Sequence, residues 1–227
     1  MNDRRQLICR VLIYTLGLLF LAFSVAFSAN SGLGISPVNA VPYAVSCVTK
    51  AELGLCVAGV FSIYVLIQIL LLRKNFRWHN LFQLVFSAVF GYFTGFAQDV
   101  LGDFCLPAYP GQLAMLLISI CCIAVGISLY VDAKLIPMPA EGLTLALSER
   151  LRVPFNRVKT VQDCLSVALA AAITLVFSGR LEGVKEGTLI AALLVGFGVK
   201  LAQRGVAPLV DKLCFSPTGT VEEGGTQ

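Results

Sequence analysis

Two polar residues stand where an otherwise apolar chain interrupts itself. Asn39 lies in Gly32-Leu-Gly-Ile-Ser-Pro-Val-Asn-Ala, and Glu141 in Leu135-Ile-Pro-Met-Pro-Ala-Glu-Gly-Leu. Each follows a proline by two positions, Pro37 in the first case and Pro139 in the second. Proline suits the first position of a helix, because the N–H it lacks would be unpaired there anyway. Asn39 and Glu141 are therefore read as third residues of two short helices. A helix start exposes unpaired N–H groups and partial positive charge, which suits an anionic group. A glutamate there offers a second chemistry, binding a cation or taking up a proton, and ionisable side chains inside membranes are functional candidates by default. The competing reading is a cap: a Glu or Asn at this position can fold back on the helix start, and Ser36 to Asn39 has capping-box spacing. The candidate substrate- or ion-binding set is Glu141, Asn39, Ser36, Pro37, Pro139, Thr144 and Asp163. No catalytic residue, metal ligand or cofactor is assigned.

The elements that position these residues echo one another. Residues 30–50 and 132–152 align without a gap at an offset of 102, which brings Leu33 onto Leu135, Pro37 onto Pro139, Ala44 onto Ala146 and Ser46 onto Ser148. Asn39 falls on Glu141, and Lys50 on Arg152. Each segment follows an apolar span at the same distance, the pattern of an internal duplication. Helices over 37–48 and 139–150 would be about 18 Å long at 1.5 Å per residue, roughly half a bilayer core. That length predicts re-entrant half-helices.

Composition places the chain in a membrane. Of its 227 residues 57% are hydrophobic and only 13% charged, against roughly 25% charged in soluble domains; the mean hydropathy is +0.84. Spans are expected at 7–29, 53–72, 81–98, 112–131, 161–178 and 187–203. With a cytoplasmic N-terminus and six crossings, fourteen of the seventeen Lys and Arg fall inside; only Lys50, Arg180 and Lys185 fall outside. Eight crossings would export Arg73, Lys74 and Arg77, against the positive-inside rule. The net charge of +4 thus has a topological origin and does not point to nucleic acid. The expected fold is all-α: six transmembrane helices plus two short re-entrant half-helices in an inverted 3+3 repeat. Residues 1–100 make the first membrane repeat, 112–205 the second, and 216–227 a disordered cytoplasmic tail. Residues 206–215 are read as a short interfacial helix. Cys47 and Cys105 both fall near the outer face, which leaves a disulfide open.

Lesser signals are read as structural. Gln68 and Gln83 lie in apolar runs, as donors for interhelical hydrogen bonds. Gln162 opens span five as an interfacial polar group, and Asp132 with Lys134 reads as a solvated pair. Gly91-x-x-x-Gly95 and Gly196-x-Gly198 read as close helix packing. The sequence has no Walker loop, G-x-G-x-x-G, H-E-x-x-H or G-x-S-x-G, and catalysis is not expected.

The motif around Pro37, its echo Pro137-Met-Pro-Ala-Glu-Gly-Leu, and Glu186-Gly-Thr-Leu-Ile-Ala-Ala-Leu-Leu-Val-Gly are similar to the YitT/YczE family of bacterial membrane proteins. The likeness runs from about Arg10 to Lys200. In that family the short motif is usually a glycine followed by Pro-x-Asp; Asn39 and Glu141 occupy the aspartate position here, which resembles a YczE-like branch. The resemblance implies a multi-pass protein of the bacterial inner membrane and says little about cargo. The expected function is a secondary permease for a small polar or charged solute, with both termini cytoplasmic and the bilayer as its surroundings. The alternative is a non-transporting scaffold or regulator that binds a partner through the basic loop at 150–159. A homodimer is compatible with six spans.

Overall fold

The computed structural model describes residues 2–73, 76 and 78–215. Its regular elements are helices: α1 (Asn2–Ser31), α2 (Pro37–Thr49), α3 (Leu53–Leu72), α4 (Phe82–Leu101), α5 (Tyr109–Asp132), α6 (Pro139–Leu151), α7 (Phe155–Ser178) and α8 (Glu186–Val210). Six segments are long and apolar enough to cross a membrane: Arg4–Ser31, Leu53–Leu72, Trp78–Leu101, Tyr109–Asp132, Arg157–Ser178 and Glu186–Cys214. Every span read from the sequence falls inside one of them. The two remaining helices, α2 and α6, have 13 residues each.

The short helices are built alike at both ends. Pro37 and Pro139 hold the first helical position. At the far ends Lys50 (φ 59°) and Arg152 (φ 56°) turn left-handed, and their N–H groups donate to the Ser46 and Ser148 carbonyls. Non-glycine residues rarely take that conformation. A second bond supports each turn: Ser46 Oγ donates to the Ala51 carbonyl at 2.8 Å, and Ser148 Oγ to the Val153 carbonyl at 2.7 Å.

The centre of the molecule is the crossing of α1 with α5, which run antiparallel. Gly17 and Gly126 meet at backbone distance: a Cβ on Gly17 would come within 2.9 Å of the Gly126 carbonyl oxygen. Seven residues further along α1, Ser119 Oγ donates to the Ser24 carbonyl at 2.8 Å. Near the start of α1, Arg10 Nε donates to the Ala133 carbonyl at 2.8 Å, with a further bond from its guanidinium to the Lys134 carbonyl. Tyr14 Oη donates to the Ile136 carbonyl at 3.1 Å. The connection from α5 to α6 is therefore strapped to α1 by its own carbonyls, which have no regular helix to satisfy them.

Around this crossing, α4 packs on α1 and α8 on α5. The short helices cross over between the halves: α2 packs on α3 and α7, α6 on α7 and α3. α3 and α4 lie tightly together because Gly54 and Gly91 face each other, as the Gly91-x-x-x-Gly95 spacing predicts.

One local expectation needs correction, and one open question is answered. Residues 206–210 do not form a separate helix but continue α8, followed by a π-helical turn at Asp211–Phe215. Pro208 does not end the helix, because the Asp211 N–H still reaches the Ala207 and Pro208 carbonyls. Cys47 and Cys105 are both free thiols. The tail expected at 216–227 lies outside the described residues.

Candidate functional site

A cavity of about 280 Å³ lies at the middle of the bundle, and every one of the eight helices contributes to its wall. Leu21 and Ser24 come from α1, Ile123, Ile127 and Tyr130 from α5, and the two aromatic rings of Phe61 and Phe90 from α3 and α4. Those rings stack, with centroids 5.8 Å apart and planes 17° from parallel. From α7 come Lys159 and Asp163, and α8 presents its small residues Ala191, Ala192 and Gly196. The beginnings of both short helices meet here, Ser36, Pro37, Val38 and Asn39 on one side and Met138 and Glu141 on the other.

The polar groups on this wall are held in different ways. Asn39 is 8% exposed. Its Nδ2 donates to Ser36 Oγ at 3.2 Å, and its backbone N–H to the Ser36 carbonyl at 3.0 Å. No side-chain cap forms at the start of α2, so the capping box expected there is replaced by a bond between the two side chains. The amide is thereby fixed with Oδ1 pointing away from Ser36, and that buried oxygen has no hydrogen-bond partner. Glu141 turns its carboxyl towards its own backbone N–H and faces the Tyr130 hydroxyl. Its Oε2 is likewise buried and unpartnered. Lys159 Nζ donates to Asp163 Oδ1 at 2.6 Å, one helical turn apart.

Of the sequence candidates, Glu141, Asn39, Ser36, Pro37 and Asp163 line the cavity. Pro139 and Thr144 stand behind the wall and fix α6 in place. The Pro139 carbonyl accepts from Gln68 Nε2 at 3.1 Å, and Gln68 Nε2 also donates to Gln83 Oε1 at 3.0 Å. On the opposite side Thr144 Oγ1 donates to Gln162 Oε1 at 2.8 Å, while Gln162 Nε2 donates to the Ala140 carbonyl at 3.1 Å. The start of α6 is thus held by the Gln68 amide of α3, itself bonded to Gln83 of α4, on one flank and by the Gln162 amide of α7 on the other. Gly142 lets Gln68 and Gln83 come this close, since a Cβ there would meet Gln68 Oε1 at 2.7 Å and Gln83 Nε2 at 2.8 Å. Gln162 was expected as an interfacial polar group; it is half-buried and clamps α6, sharing the Ala140 carbonyl with Thr144 Oγ1. Gly196 was expected to serve close packing, yet a Cβ there would meet nothing within 4 Å. It opens onto the cavity.

Sequence reasoning missed Tyr130, Lys159 and the Phe61–Phe90 pair. The i, i+4 spacing of Lys159 and Asp163 just inside an apolar run was the one available signal. Nothing in the surroundings of Tyr130, Phe61 or Phe90 distinguishes them from lipid-facing aromatics.

An all-helical chain with six membrane-length helices and a shared central cavity is a multi-pass membrane protein. The family of unknown function DUF6198 matches residues 8–204, and the chain belongs to that family. It is also 27% identical over 198 residues to the uncharacterized membrane protein YczE of Bacillus subtilis (strain 168), covering 85% of each chain. No solved structure matches it.

Proposed function

We propose that the chain is a secondary permease of the bacterial inner membrane, with a small polar or charged solute bound between two inverted repeats. The observation that carries this reading is the composition of the cavity wall. It contains five pairs of residues separated by 102 positions: Leu21 with Ile123, Ser36 with Met138, Asn39 with Glu141, Phe61 with Asp163, and Phe90 with Ala192. A cavity lined by equivalent positions of two halves sits where transporters built from repeats bind substrate, near the bilayer midplane and beside interrupted helices.

The packing supports the same register. The Gly17–Gly126 approach becomes the Ser119–Ser24 bond when 102 is added to one number and subtracted from the other. In the same way Gly142 against Gln68 matches Ala40 beside Ala170. The antiparallel run of α1 and α5 makes the two halves opposite in direction. α2 and α6 then enter the bilayer from opposite faces as half-helices, with both chain termini in the cytoplasm as the basic residues require. The exposed apolar faces of the long helices meet lipid, and rocking of one half against the other exposes the cavity alternately.

The test is water access. Single cysteines at positions 39 and 141, in a background without the eight native ones, are expected to react with a membrane-impermeant thiol reagent in vesicles and to be protected by the transported solute. A scaffold that only holds a partner through the 150–159 loop leaves both inert from either side, and that result removes the permease reading.

A further inference from the structure

Two atoms on the cavity wall are unpartnered, Asn39 Oδ1 and Glu141 Oε2; the first is an acceptor, and so is the second when the carboxyl is ionised. Buried polar groups in folded proteins are almost always hydrogen-bonded, so each orphan asks for a partner. What is missing at both positions is the same thing, a donor. An anionic solute would add acceptors to acceptors. The charge on the wall agrees: Glu141 and Asp163 give two carboxyls against the single ammonium of Lys159, and Lys159 is already bonded to Asp163. At α2, Pro37 has removed one of the free donors.

Apart from the hydroxyls of Ser24, Ser36 and Tyr130, the rest of the wall is apolar. Phe61 and Phe90 stack on one side, and Ile123 and Val195 belong to the same wall. An apolar cavity of about 150 Å³ holds a benzene ring; this one, at about 280 Å³, has room for a ring and a short chain. Aromatic faces also attract cations held within about 6 Å of the ring.

Resting on the permease reading and sharpening it, we infer that the solute is an amphipathic organic cation, a protonated amine on an apolar body of about ten non-hydrogen atoms. Its ammonium donates to Asn39 Oδ1 and Glu141 Oε2, and its body lies against Phe61 and Phe90. Burying the cation beside a carboxyl offsets the desolvation that either charge would suffer alone.

The experiment is thermal unfolding of the full-length, detergent-purified protein with three probes of equal size: 2-phenylethylammonium, 3-phenylpropionate and 2-phenylethanol. The ammonium alone is expected to raise the midpoint, saturably, and Glu141→Gln to weaken its apparent affinity at least tenfold, roughly the worth of one hydrogen bond to a charged group. Asn39→Asp, which places a second carboxyl on the cation, is expected to tighten it. Equal shifts by the alcohol or the carboxylate overturn the cation class. An ammonium shift that is the same in wild type and Glu141→Gln reports partition into the micelle and overturns it too. In both cases reactive thiols at 39 and 141 leave the permease reading standing, whereas inert thiols remove that reading whichever probe binds.

Discussion

The two halves share a plan and differ in how tightly they close. In the first half α3 and α4 are zipped together through Gly54 and Gly91, with Gly95 one turn on against the Glu52 side chain. In the second half α7 packs on α2 and α6 and α8 packs on α5, and the two do not pack along each other. The positions 102 residues beyond Gly91 and Gly95 hold Leu193 and Phe197, both turned outward and largely exposed. A helix pair needs small residues at the seam to approach at backbone distance in a membrane, where lipid competes equally well for large apolar side chains. At these two positions α8 carries large residues instead, and α7 and α8 do not close along each other. The wall differs in the same sense: Asn39, Phe61 and Phe90 on one side stand opposite Glu141, Asp163 and Ala192 on the other. The first half supplies two phenyl rings and an amide, the second two carboxyls, the Lys159 ammonium and the Tyr130 phenol.

The sharpest way to break this comparison is to exchange its seam residues. Gly91→Leu puts the α8 residue into the α4 position, where even a Cβ collides with the Gly54 carbonyl. It is expected to cost about 3 kcal/mol or to prevent folding. The reverse change, Leu193→Gly, is expected to cost only the helix propensity, about 1 kcal/mol. Equal losses in thermal unfolding would show that the halves close alike after all. Next in size are the clamps on α6. Gln68→Ala removes the bonds to Gln83 and to the Pro139 carbonyl and is expected to cost about 2 kcal/mol, with Gln162→Ala close to the same. The position 102 before Gln162 is Val60, which cannot make such a polar clamp, and Val60→Ala is expected to act only through lost packing.

The smallest effect tests the likeness instead of the difference. Lys50→Gly and Arg152→Gly each relieve a left-handed turn at the end of a short helix, and each is expected to stabilise by about 1 kcal/mol. If the turns are the same device, the two shifts agree within about 0.5 kcal/mol. One open position remains: Gly196 faces open space, so Gly196→Met is expected to stabilise by the helix-propensity gain alone, about 1 kcal/mol, while slowing reaction of a thiol at position 141.

Much of the architecture was legible because its signals are local. Apolar runs of membrane length mark the spans, and Pro37 and Pro139 mark helix starts by removing an N–H. The offset of 102 could be read from a handful of identities, and the short helices α2 and α6 start and end alike at that offset. What could not be read was direction around each helix. A soluble helix advertises its inner face by a polar stripe on the outer one; in lipid both faces are apolar, so nothing in the sequence said that Tyr130 and Phe90 look inward while Tyr92 and Phe197 look out. Gly196 was misread for the same reason, since a small residue seats a neighbour or leaves a hole depending on what stands across from it. Gln162 was misplaced because its partners, the Ala140 carbonyl and Thr144, belong to a helix that cannot be oriented from sequence.

Three bonds near the start of α2 set limits on any movement. The Ile35 N–H donates to the Gly183 carbonyl, the Gly187 N–H to the Leu33 carbonyl, and Lys185 Nζ to the Gly32 carbonyl at 2.7 Å. The connection between α7 and α8 is thereby stitched to the approach to α2. The joined ends of α7 and α8 are tied at this corner, so any separation of these two helices would have to hinge there.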